Sequence, residues 1–263
     1  MPDPSIRGPS MRSLSLLLLC VSSWALAESQ VRVDAHGLMR LPGNLEQLVL
    51  ERLDIADHAT LLVPAEIREI RVTELVLGRD AHIAIAPSEQ AFRLEVERAE
   101  IATGAQLSAR GAAGTFEKPA MPGRNLHIRL QSIDAQNLLI DARGGNGAPG
   151  YAGLDGADGK PGGCTWGQAS KGHDGQSGGD GQAGAAGGRI RLEVPLDFAV
   201  EMLQGRVDGG SGGTAGAGGK PGKGGASKGC WLYSTDGAGD GRPGQAGRPG
   251  PQGAAGTLDV VRF

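Results

Sequence analysis

Apolar residues recur in a fixed frame along the first half of the chain. From Leu48 onward one copy reads Leu50, Leu53, Ile55, Ala59, Leu61 and Val63. The next reads Val72, Leu75, Leu77, Ala81, Ile83 and Ile85, and the third Val96, Ala99, Ile101, Ala105, Leu107 and Ala109. All three share offsets of 3, 5, 9, 11 and 13. A fourth copy, Leu130, Ile133, Ala135, Leu138, Ile140 and Ala142, slips by one residue in its second half. A weaker fifth begins at Ile190-Arg191-Leu192-Glu193-Val194. Within each copy the alternation has period two, which predicts short half-buried strands. Copies start 22 and then 24 residues apart. Strands at such a period, each exposing apolar positions that only the next copy can cover, predict a solenoid. The expected fold class is all-β, a short parallel β-helix of about five coils. Leucine-rich repeats share the period, but their asparagine ladder is missing, and an amphipathic helix fails on period.

The copies differ in length at one place. Six residues separate Val63 from Ile70, eight separate Ile85 from Leu94, and sixteen separate Ala109 from Leu126. Between Ala142 and Ile190 lie 47, and between Val207 and Leu258 lie 50. Every insertion follows the same strand of the frame, so all are expected on one face. The two longest are expected to leave one corner as arms, with Thr257 to Phe263 returning as a final strand.

Composition identifies the arms. Of 46 glycines, 38 lie between Gly144 and Gly256. In the first arm glycine falls at 147, 150, 153, 156, 159 and 162, and again at 172, 175, 178, 181, 184 and 187. In the second it falls at 210 to 225 and at 241 to 256 with the same spacing. The register breaks at Cys164-Thr165-Trp166-Gly167-Gln168 and at Cys230-Trp231-Leu232-Tyr233-Ser234. Glycine at every third residue predicts a polyproline II helix with one bare face, about 3.1 Å per residue and three residues per turn. Three assemblies fit such runs: a collagen trimer, disordered linkers, or hairpin arms forming a polyproline II / polyglycine II bundle. Collagen needs parallel chains, whereas the two runs of an arm must return to one corner. Disorder does not account for four equal runs with a cysteine at each tip.

Segments such as Gly153-Leu154-Asp155-Gly156-Ala157-Asp158-Gly159-Lys160-Pro161-Gly162 resemble glycine-rich bacterial proteins labelled collagen-like. They are also similar to polyglycine II folds such as snow-flea antifreeze protein and the glycine-rich tips of some phage adhesins. The likeness covers roughly 144–256 and concerns an architecture, so it implies little about a ligand. The preceding half resembles parallel β-helix proteins, a fold shared by polysaccharide lyases, adhesins and passive scaffolds.

The N-terminus reads as a secretory signal. Met11-Arg12 opens a short positive region, Leu14 to Val21 is apolar, and Ala25-Leu26-Ala27 supplies a small-residue cleavage site. The apolar stretch is too short to span a bilayer. Leu19 precedes Cys20 where a lipoprotein signal wants a small residue. Cys164 and Cys230 then remain, and two cysteines in an exported chain most simply form one disulfide. It would close a loop of about 66 residues, worth about 4 kcal/mol in the chain-entropy model. A net charge of −3 gives no push toward nucleic acid or anionic membrane.

No nucleophile elbow, phosphate loop or zinc motif occurs, and His36, His58, His82, His127 and His173 lack metal-ligand spacing. Glu51, Thr73, Glu95 and Arg129 fall at nearby frame positions as an outward ladder, whose simplest reading is a solvated face with cross-strand charge pairing. Asp155, Asp158, Asp174, Asp180, Asp236 and Asp240 decorate the arms without the nonapeptide calcium repeat; solvation is their expected role. Trp166, Trp231, Tyr233 and Tyr151 all lie in the arms. They fit either an apolar cluster over the disulfide or an exposed patch for sugars or a partner at the tips.

The expected organisation is a signal peptide (1–27), β-helix coils (28–143), the first glycine-rich arm (144–188), a further coil (189–209), the second arm (210–256) and a final strand (257–263). The expected function is that of a non-catalytic, secreted or cell-surface structural and binding protein, adhesin-like and without cofactor. It would be periplasmic or extracellular, with polysaccharide or another surface protein as partner. A carbohydrate-active β-helix protein and an extracellular matrix assembly protein are the alternatives.

Overall fold

The computed structural model describes residues 29–164 and 167–263; residues 1–28, with the expected signal peptide, and Thr165 and Trp166 lie outside them. In chain order the strands are β1 (Gln30–Val33), β2 (Leu38–Arg40), β3 (Gln47–Ile55), β4 (Thr60–Val63), β5 (Glu69–Leu77), β6 (His82–Ile85), β7 (Phe92–Ile101) and β8 (Ala105–Ser108). Then come β9 (Leu126–Ala135), β10 (Leu138–Asp141), β11 (Arg189–Val194), β12 (Leu203–Arg206), two short strands β13 (Lys228–Gly229) and β14 (Ser234–Thr235), and β15 (Thr257–Arg262). One short 3-10 turn, Val200–Met202, precedes β12. The protein is almost all β. Among the described residues no helix is long and apolar enough to cross a membrane.

Two parallel sheets take alternate strands. One runs β1-β3-β5-β7-β9-β11-β15 and the other β2-β4-β6-β8-β10-β12. The repeating frame is the pairing register. Leu50 faces Val72, Val72 faces Val96, and Val96 faces Leu130. In the second sheet Leu61 faces Ile83, Ile83 faces Leu107, and Leu107 faces Ile140. Every frame position of the first three copies is buried in one hydrophobic cluster that both sheets share. The register expected for the fourth copy also holds. The one-residue slip is taken up in the turn between β9 and β10, two residues long where the turn between β7 and β8 has three. The sheets also begin earlier than the frame read from Leu48, because β1 pairs with β3 and β2 with β4.

All five insertions lie between a strand of the second sheet and the next strand of the first. At that edge Arg124 is fully buried. Its guanidinium donates to the carbonyls of Gln90 (2.9 Å), Ala86 (3.3 Å), Ala65 (3.2 Å) and Ile67 (2.8 Å), and it lies over the Phe92 ring at 5.4 Å. One side chain of the third insertion thus ties down the first two. Burial lowers its pKa from the ordinary arginine value, but the cage of carbonyl acceptors suits a cation.

The glycine runs are joined by backbone hydrogen bonds at every third residue. Ser170, His173, Gln176, Gly179, Gln182 and Ala185 donate to Lys160, Ala157, Leu154, Tyr151, Ala148 and Gly145, so the first run (144–162) and second run (170–188) point in opposite directions. Gly147, Gly150, Gly153, Gly156, Gly159 and Gly162 donate to residues 211 to 226 of the third run (207–226), in the same direction. The third run's glycines donate back to the second run. The second run's donate to the fourth run (238–256), and the fourth run's to the third. The second and third runs therefore touch all the others, while the first and fourth flank them.

This placement accounts for sequence detail. The third run has a second glycine beside the register glycine at 209, 212, 218 and 224. A Cβ at any of these would collide with a fourth-run carbonyl, and one at Gly213 with the Ala148 carbonyl. With three residues per turn and neighbours on most sides, the run can present only one residue per turn to solvent. The sixteen-residue insertion adds a piece of the same kind: Gly111 and Gly114 donate to Arg143 and Asn146, and Gly123 donates to Ala186.

Candidate functional site at the bridged links

The first and second runs are linked through 163–169, the third and fourth through 227–237. Cys164 and Cys230 form a disulfide between these links with a Cα–Cα distance of 5.6 Å. The second link folds as a small antiparallel pair of β13 and β14, closed by a 2.7 Å bond from Cys230 N–H to the Tyr233 carbonyl. Tyr233 Oη donates to the Cys164 carbonyl oxygen. The turn between them therefore has three anchors: the strand pair, the disulfide and the tyrosine.

Two large apolar side chains project from that turn. Trp231 is 95% exposed and Leu232 82%, with Tyr233 half exposed. A cluster packed over the disulfide would need Trp231 covered, and it is not. Trp166 lies outside the described residues. Tyr151 does not belong to the links: it stands in the first run, and its ring lies where a Cβ on Gly179 would be. That glycine is one beyond the triplet register, and its absent side chain makes room for the ring.

The aspartates of the runs have a specific job that composition did not disclose. Asp155 and Asp158 accept the backbone N–H of Lys220 and Lys223 at 2.6 and 2.7 Å. Asp174 and Asp180 accept those of Arg242 and Arg248, both at 2.7 Å, and Asp240 accepts that of Gly224 at 2.7 Å. Asn146 does the same for Ser211 at 3.1 Å. In four of these six pairs an acidic residue meets a basic one on the neighbouring run. The only sequence signal for this is the pair of constant separations, 65 residues between first and third runs and 68 between second and fourth.

The outward ladder on the first sheet is regrouped by the register. Glu95 and Arg129 share a column with Arg71 and Glu193, while Glu51 and Thr73 fall at a bend where pairing is interrupted. Glu95 pairs with Arg71 (3.2 Å) and Arg93 (3.4 Å), and Glu69 with Arg71 (2.8 Å). Glu193 meets His127 (3.0 Å) and Arg191 (3.1 Å), and their hydrogen bonds, His127's foremost, hold its carboxyl below the usual range. The groove over the bend, lined by Arg71, Thr73, Glu95, Glu97 and Gln131 among others, measures only about 180 Å³, small beside ligand pockets of about 300 Å³ or more. A second groove of about 430 Å³ is lined by the same paired charges, with Glu46, Arg68 and His127.

On the outer face of the second sheet Asp141 is buried and held by Arg143 at 2.6 Å, with Arg110 at 3.8 Å. Burial raises its pKa, but the Arg143 hydrogen bonds outweigh that and hold it below the ordinary value. Arg143 immediately precedes the first run, so this pair anchors the run's root. Among the described residues no cluster of three or more His, Cys, Asp or Glu side chains could hold a metal ion.

No protein-family model, curated protein or solved structure matches this chain.

Proposed function

We propose that this chain is an exported, non-enzymatic structural and binding protein of the collagen-like, polyglycine II kind. A short parallel β-helix is the stem. The four glycine runs are two hairpin arms, bundled side by side, and the bridged links are their tip. The bundle works as a rigid spacer that holds the tip away from the stem, and the tip engages a partner outside the cell membrane.

The observation that carries this reading is the exposure of Trp231 and Leu232 on a turn anchored three ways. Exposed large apolar side chains on a rigid support are a feature of interaction sites. The backbone network of the runs supports the spacer role, since it orders the 77 residues of the four runs, which have almost no apolar core of their own. The disulfide is compatible with an oxidising compartment.

Two measurements test the proposal together. Labelling of intact cells with a membrane-impermeant reagent should modify lysines of the mature chain, Lys228 among them. Incubation of the purified protein with exopolysaccharides should release no reducing or unsaturated sugar; release would replace the spacer reading with a carbohydrate-active one.

A further inference from the structure

Among the described residues, the exposed large apolar side chains at the distal end of the runs are Trp231, Leu232 and Tyr233, consecutive in one turn. The surrounding links are rich in lysine. From 159 to 173 and from 224 to 239, distal to Asp158, Asp174 and Asp240, the charged side chains are Lys160, Lys171, Lys228 and Asp236, three cations to one anion in a chain whose net charge is −3. Lys171 lies 3.9 Å from Asp174. Lys160, Lys223 and Lys228 are exposed and have no carboxylate partner among the described residues. Asp158 and Asp240 accept the backbone N–H groups of Lys223 and Gly224 and keep their charge, so they sit level with Lys223 while Lys160 and Lys228 lie beyond them.

The geometry points to an anionic lipid surface as the partner of this tip, with Trp231 and Leu232 entering the interfacial zone and the three free lysines meeting phosphate headgroups. The inference rests on the reading of the links as a binding tip. Three features favour lipid over a sugar polymer. Leu232 is largely exposed beside Trp231, yet an aliphatic side chain has no stacking role with a sugar ring. Both side chains stand on a convex turn, so they can enter a soft apolar phase but do not form a concave sugar cleft. Tryptophan beside lysine is the composition of membrane–water interfaces, where the ring sits at headgroup depth and ammonium groups reach phosphate. One hairpin supplies modest affinity, since stable anchoring takes more than one weak signal.

The test is flotation of the disulfide-bonded mature protein with vesicles of phosphatidylglycerol and phosphatidylcholine, against vesicles of phosphatidylcholine alone. Binding is expected to the anionic vesicles and to fall about tenfold between 50 and 500 mM salt as screening removes the lysine contribution. A W231A/L232A double variant should lose at least tenfold. A K160E/K223E/K228E variant should lose a similar factor on anionic vesicles only. Because all five side chains are exposed, unchanged circular dichroism and an intact disulfide will show that the fold survives. No vesicle binding, or binding indifferent to Trp231 and Leu232, overturns the lipid assignment. If the same double variant instead abolishes retention by a soluble acidic polysaccharide, the lipid assignment fails while the tip remains a binding site. If it alters neither, the tip reading falls as well.

Discussion

Arg124 Nη2 donates to the carbonyl of Ile67 at 2.8 Å, across 57 residues of chain. With its bonds to Ala65, Ala86 and Gln90 it gathers three successive insertions around one cation. Removing the side chain leaves those acceptors buried without donors. Arg124→Ala is expected to cost at least about 3 kcal/mol in urea unfolding. Arg124→Lys should recover little, because an ammonium cannot span the fork of acceptors. An alanine variant within about 0.5 kcal/mol of the parent would show that water satisfies the cage.

Gly213 and Gly239 are both glycines of the runs, but their surroundings differ. A Cβ at Gly213 would strike the Ala148 carbonyl oxygen, while at Gly239 it would meet open space. Gly213→Ala should destabilise the protein by about 1–3 kcal/mol, as overpacking does. Gly239→Ala should be close to neutral. Thermal melts of the two variants separate packed runs from flexible linkers, for which both substitutions would be silent.

Asp158 tests the side-chain clips. Asp158→Ala removes the acceptor of the Lys223 N–H and should lose about 0.5–1.5 kcal/mol. Asp158→Asn keeps a carbonyl oxygen and should lose less. Hydrogen exchange at the Lys223 amide reports the site directly: faster in the alanine variant, nearly unchanged in the asparagine one. Equal exchange in all three would remove the clip.

Stability should decline in acid, and Asp141 and His82 are the two most buried of the groups responsible. Asp141 has a depressed folded-state pKa because the Arg143 hydrogen bonds outweigh its burial. Its contribution is present above the unfolded aspartate value and is lost as pH falls through the folded one. His82 is pushed down by burial, and its Nε2 is buried with no hydrogen-bond partner. A histidine depressed in the folded state likewise adds stability that is lost as pH drops below the ordinary histidine range. Urea midpoints should therefore fall in two steps, one below about pH 6.5 and one below about pH 4. A His82→Phe variant should lack the first step, and Asp141→Asn should shrink the second, to which Glu193 also contributes. One step undiminished in its variant assigns it elsewhere.

Reduction of Cys164–Cys230 should lower the melting temperature, since the bridge closes a long loop worth about 4 kcal/mol in the entropy model. Exchange is expected to rise at Gly159, Gly162, Lys223 and Gly225 before it rises near Gly147 or Gly184, because the bridge pins the distal ends of the runs. Uniform loosening would mean the runs depend on it throughout.

How far the sequence could be read varied with the range of the forces involved. The core columns were legible because apolar alternation is a local code: Leu50, Val72 and Val96 mark their own register by burial. The first coil was not, since Val31, Val33 and Met39 are too sparse to carry the frame without their partners Leu53, Ile55 and Leu61. Arg124 left no signal, because nothing along the chain marks the four carbonyls it serves. Tyr151 was placed by composition with the tip aromatics, while its position is set by the space that Gly179 leaves.

The sequence by itself determined the strand frame, the single edge that receives every insertion, the triplet spacing of the glycines and the pairing of the two cysteines. Each follows from a local rule of periodicity or count. Only the tertiary structure decided which runs touch which, that the third run needs its second glycines, that aspartates clip neighbouring runs, and that Trp231 and Leu232 stand in solvent. Glycine at every third residue gives a helix a bare face but says nothing about which neighbour fills it. That choice depends on hydrogen bonds between residues some 65 apart, and no pattern within one run can encode it.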